Sequence, residues 1–311
     1  MKFWFALLLI LTSSVCISQK KYLNRELQVE NDNDAYTLNR TRDQYYSNGV
    51  ALRFRSLTDS SRWSTNHEKV VRSYDLNHRI YSPRHLFWQD SSQMDRPYAG
   101  QITIAASNEY YYKQGAYLKA KLELGWMGPK LRTGDLQYEW HKAFGMQLPL
   151  GWEFEINDAP IVNAYGTYAQ TLLRGEILDL TSESNLALGT TFTHVRQEFM
   201  VRFGTFNPIQ SSTQYNGVLG IENTGPGNHE FYFFLSPGVE YAVYNATIEG
   251  NWLGEASIYT ETREPWIYQM RAGIMASWTK FDFALLYYRR TKETTEATFH
   301  KYVGIRMNQR F

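Results

Sequence analysis

Glu30-Asn31-Asp32-Asn33-Asp34 gathers three carboxylates and two amides into five residues. Oxygen donors at that density are what a hard cation such as calcium takes as ligands. The same run also reads as a solvated turn, because Asn and Asp favour turns. Further along, Gln137 and His141 stand four apart, the spacing that puts two side chains on one face of a helix. An imidazole is the side chain best suited to taking a proton from water near neutral pH, although a lone His on a helix can equally be a plain surface group. Tyr45-Tyr46-Ser47-Asn48-Gly49 places a hydroxyl beside a turn. Asp95-Arg96-Pro97-Tyr98-Ala99-Gly100 carries either a structural Asp–Arg pair on a rigid turn or a guanidinium that suits an anionic phosphate.

Other chemistries lack local support. There is no Gly-x-Ser-x-Gly elbow, and neither His67-Glu68 nor His229-Glu230 has the second His of a zinc motif. A Ser-His-Asp triad assembled from distant strands stays open. Cys16 is the sole cysteine. It sits at the end of an export leader, so the mature chain is expected to hold no disulfide, Cys-ligated zinc or cysteine nucleophile. A lipoprotein reading of Cys16 fits poorly, because Ser14-Val15 ahead of it is not the small-residue pattern. Lys and Arg total 32 against 31 Asp and Glu, which implies neither nucleic acid nor a strongly charged partner.

The elements that must position these residues read as strands. Met1-Lys2 precedes the apolar run Phe3 to Leu11, and small residues follow at Ser13, Ser14 and Ser18. That is a secretory signal peptide over 1–18, too short to span a membrane, with one domain expected over 19–311. At the other end Val303, Ile305, Met307 and Phe311 share a face, with Gln309 the polar exception, while Tyr302, Gly304, Arg306, Asn308 and Arg310 take the opposite one. Val50, Leu52 and Phe54 alternate with Arg53 and Arg55, and Leu118 to Trp126 alternate with Lys119, Lys121 and Glu123. Aromatics reach 16% while mean hydropathy is only −0.47. A lipid-embedded barrel reconciles the two, because only every second residue faces lipid and aromatic girdles flank the apolar band. A Tyr-rich secreted β-sandwich is the soluble alternative.

The expected fold class is therefore all-β: a transmembrane antiparallel β-barrel of about twelve strands in the outer membrane of a Gram-negative bacterium. Strands are placed near 24–32, 46–57, 77–88, 100–112, 117–127, 150–158, 162–176, 184–204, 230–245, 266–278, 281–292 and 300–311. Of these, 184–204 is either one bent strand or a hairpin. Both ends then lie in the periplasm, and the links after strands 1, 3 and 5 open at the cell surface. In the third of these links Leu136, Trp140 and Phe144 recur at helical spacing behind Asp135 as an N-cap, and Gly145 ends the pattern. A short amphipathic helix across the barrel mouth is expected there.

Taken in order, Glu30-Asn31-Asp32, Tyr45 to Val50, Ile80-Tyr81-Ser82-Pro83, Asp95 to Gly100, Gln137-x-x-x-His141, Gly151-Trp152 and His300-x-Tyr302 ahead of Phe311 resemble the outer-membrane lipid A 3′-O-deacylases of the LpxR type. The resemblance covers nearly the whole mature chain, and Asp-Arg-Pro-Tyr-Ala-Gly is its most specific run. It implies a twelve-stranded barrel with its site between the wall and a helical outer loop. It also implies a calcium-dependent esterase that removes the 3′-linked acyloxyacyl chain of lipid A.

Carried over by position, His141 would be the general base that activates water. Asp32, beside Asn31, would hold the Ca2+ that polarises the ester carbonyl, with Asp34 two residues away as the other choice. Ser47 stands where relatives often have Thr. Gln137 would orient the substrate, and Asp95-Arg96 would face it or its phosphate. An acid expected after the His is replaced by Gln147, with Glu139, Glu153 or Glu155 as substitutes. The implied partner is lipid A or lipopolysaccharide of the outer leaflet, met by a membrane-embedded monomer. Two other readings stay open: a non-catalytic barrel (porin or surface scaffold, for which the Ser211–Asn228 stretch would serve), and an outer-membrane phospholipase.

Overall fold

The structure is a computed structural model that describes residues 23–37, 43–220 and 229–311. The leader expected over 1–18, with Cys16, lies outside the described residues, as does the 221–228 part of the Ser211–Asn228 stretch.

Twelve strands form one closed wall: β1 Arg25–Asn33, β2 Tyr45–Leu57, β3 His67–Ser82, β4 Ala99–Tyr112, β5 Ala116–Met127, β6 Ala159–Arg174, β7 Leu178–Gly189, β8 Phe192–Thr205, β9 Glu230–Asn245, β10 Trp266–Ser277, β11 Phe281–Arg290 and β12 His300–Arg310. Each pairs antiparallel with its sequence neighbour, and β12 returns to pair with β1 from Glu26↔Arg310 to Asn33↔Val303. Closure is what hydrocarbon demands, because an open edge would leave N–H and C=O groups with nothing to bond. Both chain ends meet at one rim, where Arg25 and Phe311 exchange backbone hydrogen bonds. That rim carries the tight 113–115 turn, whereas long links leave the opposite rim over 83–98, 128–158 and 246–265. Short periplasmic turns and long outer loops are the usual asymmetry of such barrels. Among the described residues, no helix is long and apolar enough to cross a membrane. The α-helices among these residues are α1 Thr133–Phe144 and α2 Ala246–Glu249, both in outer links.

Two strand placements differ from the sequence reading, and a third resolves a choice it left open. β3 starts at His67 rather than near 77, and it stops at Ser82, because Pro83 has no N–H to give a ladder. Residues 150–158 are loop with one 3-10 turn at Trp152–Phe154, and β6 takes up the wall at Ala159. The stretch 184–204 belongs to a hairpin, β7–β8, turning at Thr190-Thr191. The false strand and the hidden turn offset each other, so the total of twelve stands.

Parity sorts the wall. Leu27, Leu52, Leu76, Ile104 and Leu124 stand exposed on the outside, while Glu26, Arg55, Asp75, Glu109 and Glu123 are buried on the inside. These inner charges are linked. Arg310 donates to Asp282 at 2.6 Å and Glu26 at 3.2 Å, and Arg55 joins Glu26 at 2.7 Å to Glu109. The Arg310–Glu26 contact crosses the β12–β1 seam from within.

The link after β8 folds back into the lumen from the periplasmic rim. Ile209, Tyr215 and Leu219 pack on Val71, Tyr111, Tyr117 and Ala169. Its polar backbone is held as well: the Tyr215 carbonyl accepts from Tyr111 Oη at 2.7 Å and the Asn216 carbonyl from Arg55 at 2.8 Å. Glu230 accepts the Asn207 and Thr213 N–H groups, both at 2.6 Å. This segment is a plug seated on the inner charges.

Breaking the charge chain at its centre tests its weight. Arg55→Ala leaves Glu26 and Glu109 facing each other across a buried gap and is expected to cost about 3–5 kcal/mol. A fall in the urea midpoint of the folded, heat-modifiable barrel measures it; an unchanged midpoint would make the chain incidental.

Candidate active site

The helix α1 is amphipathic, but its polar face is the one that packs. Thr133, Gln137 and His141 are buried, while Leu136, Trp140 and Phe144 are 56%, 56% and 52% exposed. The partner of the polar face is the outside of the wall. Thr133 Oγ1 lies 3.4 Å from His78 Nε2 on β3. A Cβ on Gly100 of β4 would stand 2.5 Å from that of Thr133. His78 and Gly100 alternate with the inward Asn77 and Gln101, on the face that carries Leu76, Ile102 and Ile104 further down. The helix therefore lies against the outer wall near the outer rim, not across the mouth. Asp135 is not its N-cap either: Arg132 occupies that position in a left-handed conformation, and Asp135 bonds it at 2.7 Å from the first turn. Gly145 ends the helix at φ 64°, as its place in the sequence implies.

A hydrogen-bonded chain runs along the polar face. Trp152 Nε1 donates to Gln137 Oε1 at 2.9 Å, which fixes the amide so that its nitrogen points to Asp43 Oδ2 at 3.2 Å and Ser82 Oγ at 3.4 Å. Ser82 Oγ lies 3.1 Å from Ser47 Oγ, which the β-bulge between Tyr46 and Asn48 turns to this side of β2. Asp43 Oδ2 meets His141 Nε2 at 2.9 Å. On the far side of the ring, Nδ1 contacts the carbonyl of Gln147. The ring thus has an oxygen at each nitrogen. Burial works against a charge on the ring, but the hydrogen bond and charge of Asp43 and the Gln147 carbonyl outweigh it, so the His141 pKa is raised above its ordinary value.

The site residues read from the sequence do not all meet. His141, Gln137 and Ser47 belong to one network, through Ser82 and Asp43. Asn31 shares the outward face of β1 with Leu27 and Val29, where it donates to the Gly49 carbonyl at 2.9 Å and accepts from Tyr36 Oη at 2.6 Å, with no bond to that network. Asp32 points the other way. Its carboxylate accepts from Tyr46 Oη at 3.1 Å on the inner face, with Oδ1 unpartnered, so the wall separates it from His141. Asp34, in the 3-10 turn after β1, is the carboxylate on the helix side. Its Oδ2 accepts from Gln44 N at 2.6 Å, its Oδ1 is buried without a partner, and burial followed by the charge of Asp43 raises its pKa well above the usual range.

Asp95 and Arg96, expected to face the substrate, are engaged by the outer links themselves. Asp95 accepts from Tyr45 Oη at 2.7 Å and Arg84 N at 3.0 Å. The Arg96 side chain is 1% exposed, with Glu293 at 3.1 Å, Thr247 Oγ1 at 2.9 Å and the Tyr81 ring 5.0 Å away. The pair ties three outer links together. Glu139 and Glu153 are exposed, and Glu155, pushed up to about 8 by burial and by Asp158 and Asp135, has no bond to His141.

The acid beside His141 is Asp43, which sequence reasoning missed. It lies inside the outer link that the reading did single out, four residues before Ser47, but nothing local marks it over Asp32 or Asp34. Ser82 and Trp152 were inside quoted motifs without a role. Their roles appear only when β3, the 151–154 turn and α1 meet.

A family model described as "Outer membrane protein LpxR" matches residues 3–311. The solved structure of LpxR from Salmonella typhimurium superposes with a TM-score of 0.73 at 16% identity, covering 92% of this chain and 100% of that one. The COG4313 outer membrane channel from Pseudomonas putida F1 gives 0.45 at 11% identity, over 96% and 100% of the two chains. The beta domain of the Bordetella autotransporter Brka gives 0.44 at 9%, over 93% and 98%. No curated protein matches the chain.

Two substitutions test the arrangement. Asp43→Asn removes the group that raises the His141 pKa, so the imidazole, followed by NMR in chelator, titrates lower than in the parent; an unmoved titration would show that Asp43 is not its partner. Gly100→Val drives side-chain atoms into Thr133, an overpacking worth about 1–3 kcal/mol. The barrel keeps its heat-modifiable mobility while α1 exchanges its amides faster; unchanged exchange would mean that α1 does not depend on that close approach.

Proposed function

The chain belongs to the LpxR family of outer membrane proteins, and from that premise we propose that it is a lipid A deacylase: a carboxylic ester hydrolase releasing the 3′-linked acyloxyacyl chain of lipid A. The observation that carries this reading is the Asp43–His141 pair held between α1 and the outer wall, on the lipid side of the barrel. A site in the lumen would need its lipid drawn out of the leaflet; this one meets it sideways.

The chemistry needs no covalent nucleophile. Above its raised pKa, His141 keeps Nδ1–H on the Gln147 carbonyl and frees the Nε2 lone pair. A water entering between Nε2 and Asp43 gives its proton to Nε2 as its oxygen bonds the ester carbonyl carbon. The tetrahedral intermediate then expels the sugar oxygen, which takes that proton from Nε2, leaving a free hydroxyl and a carboxylic acid. Asp43 holds the ring and offsets its charge while it carries the proton. Gln137 and Ser47, linked through Ser82, are the polar groups beside the reacting ester.

Calcium is part of the proposal. Among the described residues, no group of three or more His, Cys, Asp or Glu is disposed as a metal cage. Calcium, however, also takes carbonyl and amide oxygens, so two carboxylates can be its charged share. Asp34, with a buried unpartnered oxygen beside Asp43, fits that role on the helix side; Asp32 opens on the other face. Bound there, the ion would supply positive charge for the developing oxyanion.

The lumenal plug weighs against the channel reading, since Ile209, Tyr215 and Leu219 pack on the inside of the wall toward the periplasmic end. A phospholipase would use the same groups, so the substrate must be tested directly.

Lipid A from cells expressing the wild type is expected to lose the 3′-linked chain by mass spectrometry. His141→Ala should lower release 10²–10⁴-fold, the usual worth of general acid–base catalysis. Chelation should abolish it, and Asp34→Asn should raise the calcium requirement more than Asp32→Asn. Release of fatty acid from phospholipid vesicles with lipid A untouched would select the phospholipase. Steady conductance in planar bilayers, with no lipid altered, would select the channel.

A further inference from the structure

The ridge Leu136–Trp140–Phe144 has no protein cover. Each of its members lies three residues past a member of the buried row Thr133–Gln137–His141, hence about 60° round the helix from the wall contact. Trp140 and Phe144 pack ring to ring at 4.7 Å, so the ridge is continuous rather than a set of scattered side chains. The face turned from the wall is charged, with Asp135, Glu139 and Lys142 exposed. In a water-soluble protein this orientation would be inverted, with the apolar ridge inward. Below the helix the outward face of the wall continues the apolar surface through Ile102, Leu76 and Ile104, which are 39%, 47% and 60% exposed. That wall is covered by lipid, and the helix that carries the ridge packs on its outer end through Thr133 and Gln137.

We infer that Leu136, Trp140 and Phe144 lie in the acyl-chain layer of the outer leaflet, so that α1 is an interfacial anchor as well as the carrier of His141. A helix with one apolar and one charged side lies at the interface with its apolar side roughly 5–10 Å into the headgroup–acyl boundary. Ester bonds of a membrane lipid lie at that same boundary. Immersion of the ridge therefore sets the depth at which the His141 face waits, and a substrate enters by lateral diffusion with its chains still in the leaflet. The depth-setting part rests on the esterase reading; the immersion does not.

Nitroxide labels test immersion without catalysis. With Cys16 replaced by Ser, Leu136→Cys, Trp140→Cys and Phe144→Cys are labelled one at a time in vesicles containing lipopolysaccharide, alongside Asp135→Cys, Glu139→Cys and Lys142→Cys. Oxygen should dominate relaxation on the ridge, and an aqueous nickel chelate should dominate on the charged face. Equal nickel access on both faces would overturn the inference. So would spin–spin broadening at 140 that dilution with unlabelled protein removes, because a second copy would then cover the ridge.

The combined variant Leu136→Ser, Trp140→Ser, Phe144→Ser tests the consequence. Turnover of lipid A should fall at least tenfold in vesicles and stay near wild type for lipid A dispersed in detergent. An equal fall in both settings would overturn depth-setting. A wild type inert on lipid A in both would sink the esterase reading, leaving the labels to decide immersion by themselves.

Discussion

Closure of the sheet governs everything else in this molecule. In hydrocarbon, an unpaired strand edge has no water to satisfy it, so β12 must return to β1. Once the wall is closed, each strand has one face toward lipid and one toward the lumen, and the choice is fixed residue by residue. The outside is then necessarily apolar. The inside can hold charge only in linked form, as in the chain from Asp282 through Arg310, Glu26 and Arg55 to Glu109. The plug after β8 uses that same chain as its seat, so the filling of the lumen and the sealing of the seam are one construction.

The site follows from an exception to the outer rule. At the outer ends of β2, β3 and β4 the lipid-facing positions turn polar or small: Ser47, His78, Ser82 and Gly100. A polar helix face can settle there, and α1 brings Thr133, Gln137 and His141 to it. Gly100 lets the helix approach, Trp152 sets the amide of Gln137, and Asp43 closes the row against His141. The Asp-Arg-Pro-Tyr-Ala-Gly run has two structural parts. Its Asp95 and Arg96 brace the outer links, and its Gly100 makes room for the helix.

The two faces of the wall also explain why neighbours in sequence part company. Asn31 and Asp32 are adjacent, and adjacency in a strand means opposite sides. Asp34 escapes this parity because β1 has ended and a 3-10 turn has begun, which returns a carboxylate to the side where Asp43 and His141 lie. A polar cluster that looks like one ligand set along the chain is split by the backbone that carries it.

What the sequence determined by itself was whatever repeats with a local period. Alternation marked the wall and its two faces. The Leu136–Trp140–Phe144 spacing and Gly145 marked the helix and its end, and the four-residue step from Gln137 to His141 put both on one face. What only the tertiary structure decided was which surface met which. A period says that a face exists, not what covers it, so the spacing of Leu136, Trp140 and Phe144 left open that the polar row of α1 is the side that packs. Nor does a period tell which acid will stand beside an imidazole nearly a hundred residues away. Asp43 became the partner of His141 because the closed wall brings the first and third outer links together, and no local pattern encodes that meeting.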